Sequence, residues 1–249
     1  MAEVVLVTGG ASGIGAAVAR RFAGRGAQVV IADVNPAGEQ VAAEIGGLFV
    51  RTDVARLADN EAAVAAARKA FGRLDIVHLN AGIGGGGTEL DLDLYRRIMA
   101  VNLDGTIFGI RAAVASGARA IVVTASLAGV SPSQFDPVYS ASKHAIVGLV
   151  RSLEIPGVTL NTVCPGFIDT PIIAEARDFL LEHGMALADP DEVAAAVEQV
   201  VRGGETNQVW EVQAGRPPTL VQFPTIDLSR AEPSRNLHTT SATAGEGLR

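Results

Sequence analysis

The sequence predicts a single doubly wound α/β domain built on a parallel sheet of about seven strands. Three features point there. Short apolar runs alternate with longer Ala-rich stretches of helical period. The runs carry Val, Ile and Leu on both faces, as strands covered on both sides must. A glycine cluster stands where the first run gives way to the first helical stretch.

In chain order, Val4–Thr8 reads as the first strand and Ile14–Arg25 as the helix that follows it. Gln28–Asp33 is the second strand, Pro36–Ile45 the second helix and Leu48–Thr52 the third strand. Leu57–Phe71 is helical, Leu74–Asn80 a strand and Leu103–Ser116 a helix. Ala120–Ala125 and Thr159–Val163 are strands flanking a helix at Val138–Glu154, and Asp191–Arg202 leads to a last strand at Gln208–Val212. Repeated strand–helix–strand units imply right-handed crossovers and a ligand site beyond the carboxyl ends of the strands. Residues 1–227 are expected to form the domain, and the polar stretch 228–249 a C-terminal tail.

The 249 residues are 48% hydrophobic with a net charge of −7, enough apolar material for a large core. The acidic balance argues against a nucleic-acid partner and against an anionic membrane surface, both of which need a basic face. Cys164 is the only cysteine, so no internal disulfide is expected. No signal peptide and no apolar run of membrane-spanning length is expected, which makes a cytoplasmic location the simplest expectation.

The first strand ends in Thr8-Gly9-Gly10-Ala11-Ser12-Gly13-Ile14-Gly15. Glycines at 9, 13 and 15 permit a tight turn and a close approach to a pyrophosphate, and the helix N-terminus behind them offers free N–H groups. Three residues separate the first two of these glycines, unlike the G-x-G-x-x-G fingerprint. Asp33 ends the second strand eighteen residues after Gly15. A carboxylate there can accept from both ribose hydroxyls and would repel a 2′-phosphate. With Val34 next to it and no Lys or Arg in the glycine loop, the expected cofactor is NAD rather than NADP.

Tyr139 and Lys143 stand four residues apart at the start of a helix, hence on one face. A phenol with pKa near 10 is a poor base at neutral pH. A neighbouring ammonium and an oxidised nicotinamide would both favour its phenolate.

Taken with the order of its other motifs, the chain resembles the short-chain dehydrogenase/reductase family from Val4 to about Ala214. The matching stretches are Thr8-Gly9-x-x-x-Gly13-Ile14-Gly15, Asp53-Val54, Asn80-Ala81-Gly82, Asn102, Ser126, Tyr139-x-x-x-Lys143, and Asn161-x-x-x-Pro165-Gly166 with Thr170. The resemblance implies a Rossmann fold and an enzyme that moves a hydride between NAD and a secondary alcohol or ketone. It implies Tyr139 as acid/base, Ser126 on the substrate oxygen, Lys143 also on the nicotinamide ribose, and Asn102 holding a water in a proton relay. Gly9, Ser12, Gly13, Ile14, Gly15, Asp33 and Val34 would bind the cofactor. Asp53 and Val54 would flank its adenine, Asn80, Ala81 and Gly82 would support it, and Pro165, Gly166, Ile168 and Thr170 would border the nicotinamide.

No cluster of His, Cys, Asp or Glu has metal-ligand spacing, so no metal is expected. Gln134, Phe135, Phe167, Ile172, Ile173, Phe179, Met185 and Trp210 are the candidate substrate residues. Mostly apolar, they imply a neutral, fairly hydrophobic alcohol or ketone. Alcohol oxidation is the leading reading. The same residues would serve an NADH-dependent ketoreductase, and a cofactor-binding protein without turnover would be expected to lack Tyr139, Lys143 or Ser126.

The stretches Asn102–Ser126 and Lys143–Pro165 are each about one helical turn shorter than the family pattern. Because their helices form a main family interface, a homo-oligomer is expected as a dimer first and a tetramer second. His78 reads as a satisfied core residue, His144 as facing away from the chemistry, and His183 as exposed. Gly84–Gly87 reads as a loose or mobile loop.

Overall fold

The structure, a computed structural model, describes residues 2–85, 87–133 and 135–226. Gln134 and the tail expected from residue 228 lie outside the described residues. The chain folds as a doubly wound α/β domain around one sheet in the order β3-β2-β1-β4-β5-β6-β7-β8.

The strands are β1 (Val4–Thr8), β2 (Gln28–Asp33), β3 (Leu48–Arg51), β4 (Ile76–Leu79), β5 (Ala120–Thr124), β6 (Thr159–Pro165), β7 (Val209–Val212) and β8 (Thr219–Leu220). The first seven pair in parallel, with Val5 opposite both Val29 and Ile76. The eighth amends the expected seven: Thr219–Leu220 adds antiparallel to β7, Trp210 pairing with Leu220. Two residues long and exposed, it leaves no apolar run for sequence patterning to register.

The helices are α1 (Gly13–Gly24), α2 (Gly38–Glu44), α3 (Leu57–Phe71), α4 (Leu92–Met99), α5 (Gly105–Ser116), α6 (Pro137–Ser152), α7 (Arg177–Glu182) and α8 (Pro190–Gly203). Two apolar layers form. One joins α1, α2 and α8 to the sheet through Val18, Phe22, Val193 and Val197. The other joins α3, α5 and α6 through Ala63, Ile110, Ile146 and Val150. Glu198, buried on α8, meets Arg21, Arg25 and Arg202 and so ties α1 to α8.

Sequence periodicity missed α4, whose start is marked by the Asp91 carboxylate accepting from the N–H groups of Asp93 and Leu94. A π-helical turn over Ala100–Asp104 fuses α4 to α5. The resulting helix, Leu92–Ser116, runs 25 residues and is long and apolar enough to cross a membrane. That corrects the expectation that no stretch reaches such a length. Here its α5 part packs on β4 and β5 and its α4 part on α6, with Ile98, Asn102, Thr106, Gly109 and Ile110 buried.

The sheet order reverses direction between β1 and β4, and ligand crevices in such sheets open there, beyond the carboxyl ends. Thr8, Asp33, Asn80, Ser126 and Pro165 all stand at or just past those ends.

Candidate active site

The glycine loop is built so that a ligand can reach its backbone. Gly9 and Gly13 adopt φ of +65° and +51°, which L side chains avoid. A Cβ on Gly15 would lie 2.1 Å from the Gly9 carbonyl oxygen, and one on Gly13 would lie 2.9 Å from Thr170 Cγ2. Only glycine lets the loop, α1 and the segment after β6 close on one another. Ser12 opens α1 with its hydroxyl unused in capping, so the helix N-terminus keeps N–H groups for an anion.

Asp33 sits beside this loop. Its Oδ2 accepts the Ala11 N–H at 2.9 Å and its Oδ1 the Asn35 N–H at 2.9 Å. Each oxygen retains capacity for a further donor. Val34 next to it is exposed. Asp53 accepts from the Ala55 N–H, while Val54 is buried against the point where a Cβ on Gly105 would stand.

Asn80 braces β1, β4 and β5. Its amide nitrogen donates to the carbonyls of Thr8 at 3.2 Å and Gly9 at 3.3 Å, while its Oδ1 accepts from Thr124 Oγ1 at 3.1 Å. Thr8 Oγ1 accepts the backbone N–H groups of Asn80 and Ala81 in return. His78, wholly buried, stands 2.8 Å from Thr124 Oγ1 through Nε2. Because the Thr124 proton goes to Asn80, that nitrogen carries the ring proton. His78 Nδ1 has no partner among the described residues, so the residue is half satisfied rather than satisfied. Burial drives its pKa down to about 3 and keeps it neutral.

Asn102 lies in the π-helical turn, a rare element that recurs at functional sites. Its Oδ1 accepts the Ile83 N–H at 2.9 Å, and its Nδ2 donates to the Ile83 carbonyl and to Ser142 Oγ. Its side-chain amide thus holds the segment past Gly82 beside α6. A Cβ on Gly82 would stand 3.3 Å from Lys143 Nζ and 3.4 Å from Asn102 Oδ1.

Ser126, Tyr139 and Lys143 meet at the end of β5. Lys143 is buried and donates from Nζ to the Thr124 carbonyl at 2.9 Å. The same Nζ lies 5.4 Å from the centroid of the Tyr139 ring. Burial lowers the Lys143 pKa to about 8. Burial also pushes the Tyr139 phenol up to about 12, while a hydrogen bond with the Ser126 side chain pulls the other way. Each pKa unit is worth about 1.4 kcal/mol, so the phenol is a weaker acid here than in water. Cys164 on β6 is buried beside these groups, its thiol raised to about 12 by desolvation, and is a neutral packing residue.

Pro165, the last residue of β6, and Ile168 just past it are buried, Gly166 donates its N–H to the Val212 carbonyl, and Thr170 Oγ1 donates to the Ile168 carbonyl. Beyond them, Phe135, Phe167, Ile172, Phe179 and Met185 are exposed apolar side chains, and Ile173 is half-buried. Trp210 packs on the α1–α8 side of the sheet with its indole donating to Gln208, so it is a sheet residue. Arg177 is a cation in this region that the sequence reading passed over. It forks onto Asp169 through Nε at 2.9 Å and a second nitrogen at 3.0 Å. His183 stacks on Phe179 at 4.0 Å, and His144 Nδ1 bonds back to the Ser140 carbonyl.

Sequence reasoning also passed over Thr124, Ser142 and Asp136. The pair Asp136-Pro137, an N-cap followed by proline at the first helical position, is a readable helix start. Thr124 and Ser142 carried no comparable signal, because their roles depend on strand and helix neighbours.

Comparison with known proteins agrees with this geometry. The short chain dehydrogenase family pattern matches residues 3–180. The 2,5-dichloro-2,5-cyclohexadiene-1,4-diol dehydrogenase of Sphingobium indicum is 40% identical over 214 residues, covering 77% of this chain and 86% of that protein. The cyclohexanol dehydrogenase of an Acinetobacter species is 36% identical over 215 residues, covering 78% and 86%. Among solved structures, the NADH complex of a 3-ketoacyl-(acyl-carrier-protein) reductase from Brucella melitensis superposes with a TM-score of 0.79 at 31% identity, covering 86% of this chain and 98% of that one.

Proposed function

The chain belongs to the short-chain dehydrogenase family and is an oxidoreductase of CH–OH donors with a nicotinamide cofactor; from that premise we propose that it uses NAD to oxidise a neutral, apolar secondary alcohol, a ring alcohol first. The observation that carries this reading is the meeting of Ser126, Tyr139 and Lys143 at the end of β5, with Lys143 Nζ against Gly82, next to the Ala81 that packs on Gly9 of the glycine loop.

The glycines, the α1 N-terminus and Asp33 would hold the dinucleotide, with Thr170 packed against Gly13 at the same loop. When bound, the oxidised dinucleotide would supply the hydride acceptor and a positive charge that favours the Tyr139 phenolate. Ser126 donates to the alcohol oxygen and holds it against Tyr139. Tyr139 takes the hydroxyl proton as general base. Lys143, held by the Thr124 carbonyl, supplies the cation that makes the phenolate accessible. Asn102 positions the Gly82–Ile83 segment and Ser142 beside this lysine.

The exposed Phe135, Phe167, Ile172, Phe179 and Met185 support an apolar substrate, and Arg177, paired with Asp169, offers no free cation to a carboxylate. The Sphingobium and Acinetobacter relatives are both named for oxidising ring alcohols, which supports that choice and that direction. The test is a panel of cyclic and open-chain secondary alcohols and ketones, followed by NADH absorbance. Turnover of ring alcohols with NAD is expected. No turnover with any substrate would overturn the reading.

Asp33→Ala is expected to lower the ratio of kcat/KM for NAD over NADP at least about tenfold, or about 1.4 kcal/mol. Parallel kinetics with both cofactors measure this. An unchanged ratio would mean that Asp33 does not face the ribose.

For assembly, we propose a dimer. Ile107 and Val114 on α5 are exposed, while the end of α6 is covered by the chain's own C-terminal segment, with Arg151 stacked 3.6 Å over the Phe223 ring. That cover and the short helices reduce the surface left for a helix-paired tetramer. Light scattering across a dilution series should give a dimer, and a tetramer persisting at nanomolar protein would contradict it.

A further inference from the structure

Asp136 has no part in the chemistry above, yet it touches two things that have. As N-cap of α6, its Oδ1 accepts the Tyr139 N–H at 3.0 Å. Its Oδ2 accepts the Gly85 N–H at 2.8 Å. One carboxylate therefore joins the helix turn that carries Tyr139 to the glycine-rich segment opposite. That segment lies directly on the phenol ring: a Cβ on Gly84 would stand 3.5 Å from Tyr139 Cδ2 and 3.5 Å from Asp136 Oδ2.

We propose that Asp136 is a positioning residue for the alcohol, holding Gly84 and Gly85 against the Tyr139 ring and so fixing one wall of the substrate site beside the reacting oxygen. This rests on the function proposed above. It gives Gly85, in a segment that the sequence reads as a loose or mobile loop, a hydrogen-bond partner in Asp136. It also explains an acidic cap at this place, because a neutral cap such as Ser could serve the helix with its single oxygen but could not hold both partners as a carboxylate does.

The charge has a second effect. The groups bearing on the phenol are Lys143 from the next turn of α6, Ser126 from the end of β5, Cys164 from β6 and Asp136 from the cap. Cys164 is neutral at pH 7, so Asp136 is the anion among them and opposes the phenolate that Lys143 favours. Removing its charge should ease ionisation of Tyr139.

Asp136→Asn separates these effects from folding. The amide oxygen can still cap the Tyr139 N–H, but the NH2 cannot accept from Gly85, and the charge is gone. KM for the alcohol should rise about fivefold to tenfold, with KM for NAD and kcat within about twofold. In a Tyr95→Phe background Tyr139 is the only tyrosine. Its phenolate absorbance should then titrate about half a pH unit lower in Asp136→Asn than in the parent. Asp136→Ala should show both effects with a lower melting temperature from the lost cap. An unchanged titration would remove the charge effect, and an unchanged alcohol KM would overturn the proposal. So would a rise in both KM values in step with lost stability, the mark of a merely structural residue. Absence of alcohol turnover in the parent would overturn the proposed function, whereas turnover in the parent with an unchanged alcohol KM in Asp136→Asn would overturn the role of Asp136 alone.

Discussion

Tyr139→Phe is expected to lower kcat by about a thousandfold or more while leaving NAD affinity within about twofold. The phenol oxygen is the group placed to take the alcohol proton, bonded to Ser126 and lying on the same helix face as Lys143. The ring also fills the space under Gly84, and Phe keeps it. Stopped assays at saturating NAD and alcohol, paired with calorimetric NAD titration, separate chemistry from binding. Retention of more than about a tenth of the parent's turnover would remove Tyr139 from the proton path.

Lys143→Met is expected to act in opposite directions on activity and stability. Turnover should fall by about a thousandfold or more, since the phenol, already pushed up to about 12 by burial, loses its nearest cation. Stability without cofactor should rise. Burial takes the lysine from 10.5 to about 8, a cost of about 3 kcal/mol for keeping the ammonium charged at neutral pH. Met keeps most of the volume and removes that cost, less about 1 kcal/mol for the bond to the Thr124 carbonyl.

Linkage sets the sign. The native pKa lies below the unfolded one, so the penalty is complete below pH 8 and is relieved as pH climbs from about 8 to 10.5. The parent should therefore gain stability over that window from this residue, and the variant should lack the gain. Thermal unfolding at pH 7 and pH 10 measures both. A variant less stable than the parent at pH 7 would show that the Lys143 contacts outweigh its desolvation.

Much of the fold and site was legible in the chain alone. Strands β1 and β2 stand where their apolar runs placed them, because burial on both faces writes a nearly uninterrupted Val/Ile/Leu run, and helix α3 stands where its helical period placed it. The glycine loop was legible because its residues answer to steric demands of a single turn. The Tyr139–Lys143 pair was legible because helix geometry relates positions four apart without reference to anything else. Helix α4 was not: its pattern is short, largely exposed, and fused to α5 by a π-helical turn that no propensity marks. Trp210 was misplaced because a strand residue alternates faces, and which face meets α8 depends on sheet packing rather than on the residue.

Local rules let the sequence by itself determine the strand–helix alternation, the cofactor turn, the carboxylate beside it, and the residue types that can move a proton. Tertiary structure decided the pairings between residues far apart in the chain. It brought Thr124 under Lys143, aligned His78, Thr124 and Asn80 across adjacent strands, and set Gly85 on Asp136. The physical reason is that a buried polar group must find a partner or bear the cost of desolvation, and the sheet's register, not the chain's order, determines which partners are within reach.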